Sequence, residues 1–322
     1  MTSPVQHRRG VTLIELLVVI AILGLLAVTV IPNLSNTGER RKAREAARAV
    51  SAFVAAGQSR SLATRGGAGI WIDVLPAAVT NAANIAVPIA IDLAAADVGD
   101  PYAGDTTTAG ITTLSVASSG SSATAAFSGG CTPPSASGNL IRLGGQPTLF
   151  TFTWANSTTG TIFLRASQNP DNTGWPRVPP GGLSYEIIGP PTRASTGGLT
   201  LENGVAIDLY HSTWAAQSLS TSLASACGGT LPGSFQVLFD ATGCPQTIVA
   251  GSYRFQLVDP LYLLVAPIES IQNSGGLAPT DGYWIAVDPR GGVPKVAEVV
   301  TSGTDFARQQ AFIRSGAGTL GR

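Results

Sequence analysis

The pattern of apolar and polar positions changes twice along the chain. From Val11 to Ile31, twenty-one residues are apolar or small, interrupted by Thr12, Glu15 and Thr29. As a helix, that run is long enough to span about 30 Å of hydrocarbon. After Pro32 the apolar positions thin out: Ala46, Val50, Phe53, Val54 and Gly57 fall at i, i+4, i+7, i+8 and i+11, which predicts one buried helical face. Arg41, Glu45 and Arg48 lie at i, i+4 and i+3 spacings on the other side, as suits a solvated, salt-bridged face. Helix from Val11 to about Thr64 would be ~80 Å long, too long for a compact domain and suited to a stalk. Pro32 removes a backbone donor and Gly24 and Gly38 weaken the helix, so Gly24 and Pro32 are the expected kink points.

At Gly66 and Gly67 the helix stops, and Ile70, Ile72 and Val74 alternate with Trp71 and Asp73. The period has become that of a strand. Further strand signals lie at TLFTFTW from Thr148, TIFLRAS from Thr161, LSYEIIG from Leu183 and GVAIDLY from Gly204, between Gly/Pro/Ser turns. Residues 106–138, rich in Ser, Thr, Ala and Gly, read as a surface β or flexible segment, and DFARQQAFIRSG from Asp305 as a short helix capped by Thr304 or Asp305. The predicted fold is α+β. A long N-terminal helix, membrane-spanning in its first half and amphipathic in its second, packs on a C-terminal antiparallel β-sheet head. Its expected segments are residues 1–10 as a leader, 11–32 as transmembrane helix, 33–67 as stalk and 68–322 as head.

Composition sharpens this. Charged residues are only 12 %, as expected of strands and turns more than of amphipathic helices. The net charge of zero hides a division, +6 over residues 1–67 and −6 over 68–322. A head of that sign repels a phosphate backbone, so nucleic acid is disfavoured as a partner. Of three cysteines, Cys131, Cys227 and Cys244, the last two are the favoured disulfide pair. Closing their loop of about 16 residues would contribute roughly 3 kcal/mol in an oxidising compartment; the alternative is three free thiols.

Glu15 raises the sharpest question. A carboxylate inside a membrane helix costs roughly 2.5–3.5 kcal/mol and calls for a partner. Cleavage between Gly10 and Val11 would create one, the Val11 amine, one turn away in the same chain or at the same depth in a neighbour. The alternative is that Glu15 snorkels to the headgroups. An ordinary secretory signal has its small-residue site beyond the apolar run; here Gly10 precedes it, directly after His7, Arg8 and Arg9.

The stretch Gly10, Val11, Thr12, Leu13, Ile14, Glu15 through Pro32 resembles the type IV filament family of type IV pilins, competence pseudopilins and type II secretion pseudopilins, departing only at Val11, where phenylalanine is usual. The resemblance implies cleavage after Gly10 by prepilin peptidase, N-methylation of Val11, Thr12, Leu13 and Ile14 as motif residues, and Glu15 as the charge that registers a subunit against its neighbour. It also implies an inner-membrane, single-pass protein with its head outside the cytoplasm. That overrules the five cations after the span (Arg40, Arg41, Lys42, Arg44, Arg48), which alone would place the following side in the cytoplasm. A second resemblance, carried by EAARAVSAFVAAGQSRSLATRGGAGIWIDV, FQVLFDATGCPQTIV and YWIAVDPRGGVPKV, is to the H-type minor pseudopilins and fimbrial-T-like pilins.

Chemistry is sparse elsewhere. Of two histidines, His7 falls in the leader and His211 reads as structural. GAGTLG at 316–321 has no helix after it to cradle a phosphate. DPYAGD at 100–105 and NPDNTG at 169–174 cluster oxygens of the kind Ca²⁺ takes six to eight of, but Asx turns are their commoner use, so no cofactor is expected and calcium is the one candidate. No nucleophile elbow, Walker sequence or metalloprotease helix occurs, so an enzyme is not expected. The expected function is a structural filament subunit, a minor pseudopilin or pilin, whose partners are other subunits, the peptidase and the inner membrane. The competing readings are a large pilin whose head is an adhesin or uptake receptor, marked by an aromatic or basic patch near Trp154, Trp175 or Trp214, and a simple N-terminally anchored exoprotein.

Overall fold

The computed structural model describes residues 13–299 apart from 65–66, 130–137, 147, 165–173, 203, 215–216, 252 and 276. The expectations for the leader, Gly10, Val11, Thr12, Cys131, nearly all of NPDNTG, the Asp305 helix and GAGTLG lie outside the described residues.

Helix α1 (Leu13–Ala63) is 51 residues long, about 77 Å at 1.5 Å per residue. It runs unbroken through Gly24, Pro32 and Gly38, although Pro32 offers no N–H to the ladder. After it come β1 (Ala68–Asp73), β2 (Leu75–Thr80), β3 (Ala86–Ala90), β4 (Asp92–Asp97), β5 (Gly110–Val116), β6 (Ser122–Ser128), β7 (Asn139–Leu143), β8 (Leu149–Trp154), β9 (Thr159–Phe163) and β10 (Tyr185–Ile188). The chain continues through β11 (Thr192–Arg193), β12 (Leu199–Thr200), β13 (Val205–Trp214), β14 (Gln217–Ser218), α2 (Leu219–Ala226), β15 (Ser234–Phe239), β16 (Pro245–Ala250), β17 (Tyr253–Gln256), β18 (Leu261–Pro267), α3 (Ile268–Asn273), β19 (Tyr283–Val287) and β20 (Lys295–Glu298). The class is α+β, a long N-terminal helix on antiparallel sheets.

Two sheets share one core with α1. The first has the order β11-β4-β1-β15-β16-β17 with β12 also on β4, and the second β2-β3-β13-β18-β19-β20 with β14 on β13. Alternation sorts the side chains: Ile70 and Ile72 of β1, Phe235 and Val237 of β15, Val205 and Ile207 of β13 and Leu263 and Val265 of β18 meet Ala47, Val50 and Val54 of α1. Burial of each such valine, leucine or phenylalanine contributes on the order of 1.5–3 kcal/mol. Small residues set how closely the layers approach. A Cβ at Gly57 would lie 2.9 Å from Phe239 Cε2 on β15, and one at Gly69 of β1 would lie 2.3 Å from the Val237 carbonyl oxygen.

Between β4 and β11 the chain builds a third sheet, β10-β7-β8-β9-β6-β5, with a core of its own around Ile141, Phe150, Phe152 and Ile162. Ile111 and Leu183 exchange backbone hydrogen bonds of 2.8 and 2.9 Å, joining β5 to the approach to β10 and curling the sheet toward a small barrel. Phe127 meets Phe152 and Tyr185 edge-on at 5.6 and 4.9 Å, the arrangement aromatic quadrupoles favour. Trp175 stacks on Phe150 at 5.1 Å and donates from Nε1 to Gly120 O at 3.0 Å. At the neck of this inserted unit, Arg254 of β17 donates from Nη2 to the carbonyls of Gly138 (3.3 Å) and Gly189 (2.9 Å), the residues next to the start of β7 and the end of β10.

Candidate functional site

The candidate site is α1 itself, which is two helices in chemical terms. Leu13–Leu25 is exposed throughout, with Leu13 81 %, Ile14 69 % and Leu25 71 % accessible. Glu15 is exposed in the first described turn, where a carboxylate is favoured by the helix dipole. This stretch covers about 20 Å, and among the described residues no helix is long and apolar enough to cross a membrane. So continuous an apolar surface is not stable in water and implies a partner phase or partner chains.

From Ala43 onward the helix is the opposite. Ala43, Ala46, Ala47, Val50, Val54, Gly57 and Ser61 are buried, and Phe53 packs half-buried against the same core. The periodicity had marked this face from Ala46 to Gly57; Ala43 and Ala47 widen it. The charged side is solvated, as expected. Arg41, Glu45 and Arg48 stay exposed, and the cations that fasten the helix reach across to the head: Arg40 Nε to Asp281 Oδ1 at 2.5 Å, Arg44 Nη2 to Glu298 Oε1 at 3.2 Å and Arg60 Nη2 to Asp97 Oδ1 at 2.5 Å. Tyr283 Oη, which also donates to Glu298 at 3.2 Å, accepts from Arg44 Nε at 3.4 Å; that hydrogen bond first, and the Glu298 charge with it, hold the Arg44 guanidinium above its ordinary pKa. Local sequence gave no sign of these pairs, because their partners are up to 254 residues apart.

Two hairpin turns meet the far end of α1. In the β15–β16 turn, Asp240 Oδ1 accepts from the N–H of Thr242 (2.8 Å) and of Cys244 (3.0 Å); in the β19–β20 turn, Asp288 Oδ1 accepts from the N–H of Arg290 (2.9 Å). These are Asx turns. Gln58 Nε2 of α1 reaches Gly292 O at 3.2 Å. Cys244 sits at the start of β16, whereas Cys227 Sγ lies 3.7 Å from Ala250 O at the other end of that strand. Six strand residues separate the two ends by nearly 20 Å, so the expected Cys227–Cys244 bridge is not formed and both thiols are free. Burial pushes the Cys227 thiol pKa up.

A buried polar cluster escaped the sequence reading. Asp208 Oδ2 pairs with His211 Nδ1 at 2.6 Å, its Oδ1 accepts from the N–H of Tyr210 and His211 at 2.9 Å each, and Ser212 Oγ donates to the Asp208 carbonyl while accepting from Leu264 N–H at 3.0 Å. These are the residue types of a hydrolase triad, but Asp208, His211 and Ser212 are 0–1 % exposed and the serine hydroxyl is committed to backbone. The cluster holds an irregularity in β13, where pairing with β18 shifts between Asp208 and Thr213. At the proposed calcium loop, Tyr102 Oη donates to Asp105 Oδ1 at 2.7 Å, and among the described residues no group of three His, Cys, Asp or Glu could hold a metal.

Comparison with known proteins addresses the N-terminus alone. No curated protein and no solved structure matches the chain. Residues 6–31, which contain Glu15 and the whole exposed apolar stretch Leu13–Leu25, match the prokaryotic N-terminal methylation motif. The chain therefore carries the N-terminal motif of type IV prepilins and pseudopilins, a motif that implies processing by prepilin peptidase and inner-membrane anchoring before assembly.

Proposed function

We propose that this chain is a structural subunit of a type IV filament, a minor pseudopilin of a type II secretion pseudopilus or a minor pilin of a related fibre. The observation that carries the reading is the division of α1, apolar and exposed around Glu15, then locked into the head from Ala43 to Ser61. In this reading Gly10 is the residue before the cut, Val11 the methylated N-terminus, and Glu15 the carboxylate that neutralises the amine of a neighbouring subunit. The head lies outside the cytoplasm, and Leu13–Leu25 exchanges lipid for the helices of other subunits. The hairpins that turn at Asp240 and Asp288, together with the Gly turn from α1 into β1, support placing it among the H-type minor pseudopilins and fimbrial-T-like pilins. A head of this size suits a minor subunit, and Glu15 suits a position with neighbours on both sides.

The test is co-purification of the chain with sheared filaments from the native cell, wild type beside Glu15→Ala and Glu15→Asp. Loss of incorporation in Glu15→Ala with normal membrane levels, and partial recovery in Glu15→Asp, are expected. Equal incorporation of all three sinks the registration role. The adhesin reading keeps one specific support, the inserted sheet of β5 to β10 with its separate core, which a purely structural role does not require.

A further inference from the structure

The edge of the first sheet carries a row of aromatic rings that neither the motif nor a filament role accounts for. Tyr253 and Phe255 stand two apart on β17 and so project to one face. Their rings lie 6.4 Å apart and within 11° of parallel. Trp214, at the end of β13 in the facing sheet, continues the row with its ring 5.9 Å from Phe255. The row rises from core to solvent: Leu257 buried, Phe255 and Trp214 half-buried against the shared core, Tyr253 46 % exposed. Packing fixes its inner members, so the surface is rigid before anything binds.

Its neighbour on the facing sheet is an amide. Gln217 is the cross-strand partner of Trp214 in the β13–β14 hairpin, so the two side chains share a face, and Gln217 is exposed. The one charge within β17, Arg254, alternates to the opposite face, where it holds the neck of the barrel. β17 is also the terminal strand of its sheet. A near-parallel pair of rings, Tyr253 and Phe255, continued by Trp214 tilted at 56° and flanked by an amide, suits a chain of pyranose rings, whose C–H faces stack on aromatics and whose hydroxyls exchange hydrogen bonds with amides. An extended peptide would instead use a long free strand edge, and β17 has four residues; an anionic lipid would need cations.

From this geometry we infer that Trp214, Phe255, Tyr253 and Gln217 form a binding surface for a neutral glycan, with Tyr253 as its outer platform. The inference goes beyond the filament reading, and its test needs no filament. The detergent-solubilised full-length chain is titrated with cellohexaose and, separately, with chitohexaose, followed by tryptophan fluorescence and by calorimetry. Saturable binding of at least one is expected, weakened about tenfold by Tyr253→Ala, as loss of a stacked ring implies, and retained in Tyr253→Phe. Gln217→Ala, at an exposed position, should weaken it without altering the melting temperature. No saturation by either hexasaccharide at millimolar concentration, or unchanged affinity in Tyr253→Ala, overturns the proposal.

Discussion

Replacing Gly57 by valine tests whether α1 is held by close approach to the sheet. Glycine in a helix interior costs about 1 kcal/mol relative to alanine, so larger residues should stabilise the helix wherever space allows. At Gly57 it does not: a Cβ would lie 2.9 Å from Phe239 Cε2 and 3.1 Å from Ile70 Cγ2, well inside the ~3.5–4.0 Å of a good carbon contact. Phe239 and Ile70 are themselves 2 % and 1 % exposed, so neither has room to retreat. Overpacking of this kind costs roughly 1–3 kcal/mol, and valine's modest propensity advantage over glycine offsets only a few tenths of that. Ala52→Val, on the exposed face of the same helix, is the control and should cost about 0.5 kcal/mol. The assay is thermal unfolding of the full chain in detergent followed by tryptophan fluorescence, with Trp284 buried in the second sheet as a reporter. Gly57→Val should melt several degrees below Ala52→Val. Equal melting temperatures would refute the claim that the helix lies within van der Waals contact of β1 and β15.

Other expectations follow from particular contacts. Asp208→Ala leaves the buried His211 ring and two backbone donors without their acceptor and should cost on the order of 1–3 kcal/mol, against a smaller loss for Asp208→Asn, which keeps an acceptor; a change in melting below 1 °C would contradict the cluster's role in β13. Arg40→Ala, at a 60 % exposed side chain, should cost less than about 1 kcal/mol, and a larger drop in denaturant midpoint would show that the ion pair carries the docking. Arg254→Ala releases the neck carbonyls of Gly138 and Gly189 and should speed limited proteolysis beside Gly189 while leaving the barrel core folded; unchanged cleavage counts against the clamp. Because burial disfavours the Cys227 thiolate, alkylation of Cys227 in a Cys131→Ser, Cys244→Ser background should rise with pH only above the ordinary thiol range, and a rate already saturated at neutral pH contradicts that.

The two periodicities made the backbone plan legible in the sequence. Ala46, Val50, Val54 and Gly57 marked the docking face because helix burial recurs every three to four residues, and Ile70 and Ile72 marked β1 because strand burial alternates. β4, DLAAAD, and β2, LPAAVT, were hidden: alanine runs have no contrast between faces. Glu15 stood out because a charge in an apolar run is costly, whereas Asp208 did not, since nothing local marks an aspartate as buried. Cys227 and Cys244 misled for a related reason. Their sequence spacing carries no information about β16, which holds them at opposite ends. The helix-to-head ion pairs and the Trp214–Phe255–Tyr253 row likewise join residues that only the fold brings together.

The most direct test of the central claim is intact-mass and N-terminal peptide analysis of the protein purified from its native membrane. A chain beginning at N-methylated Val11, with the exposed apolar helix and Glu15 immediately following, is the predicted result. A mature chain that retains Met1 to Gly10 contradicts the account and leaves a simple N-terminally anchored protein.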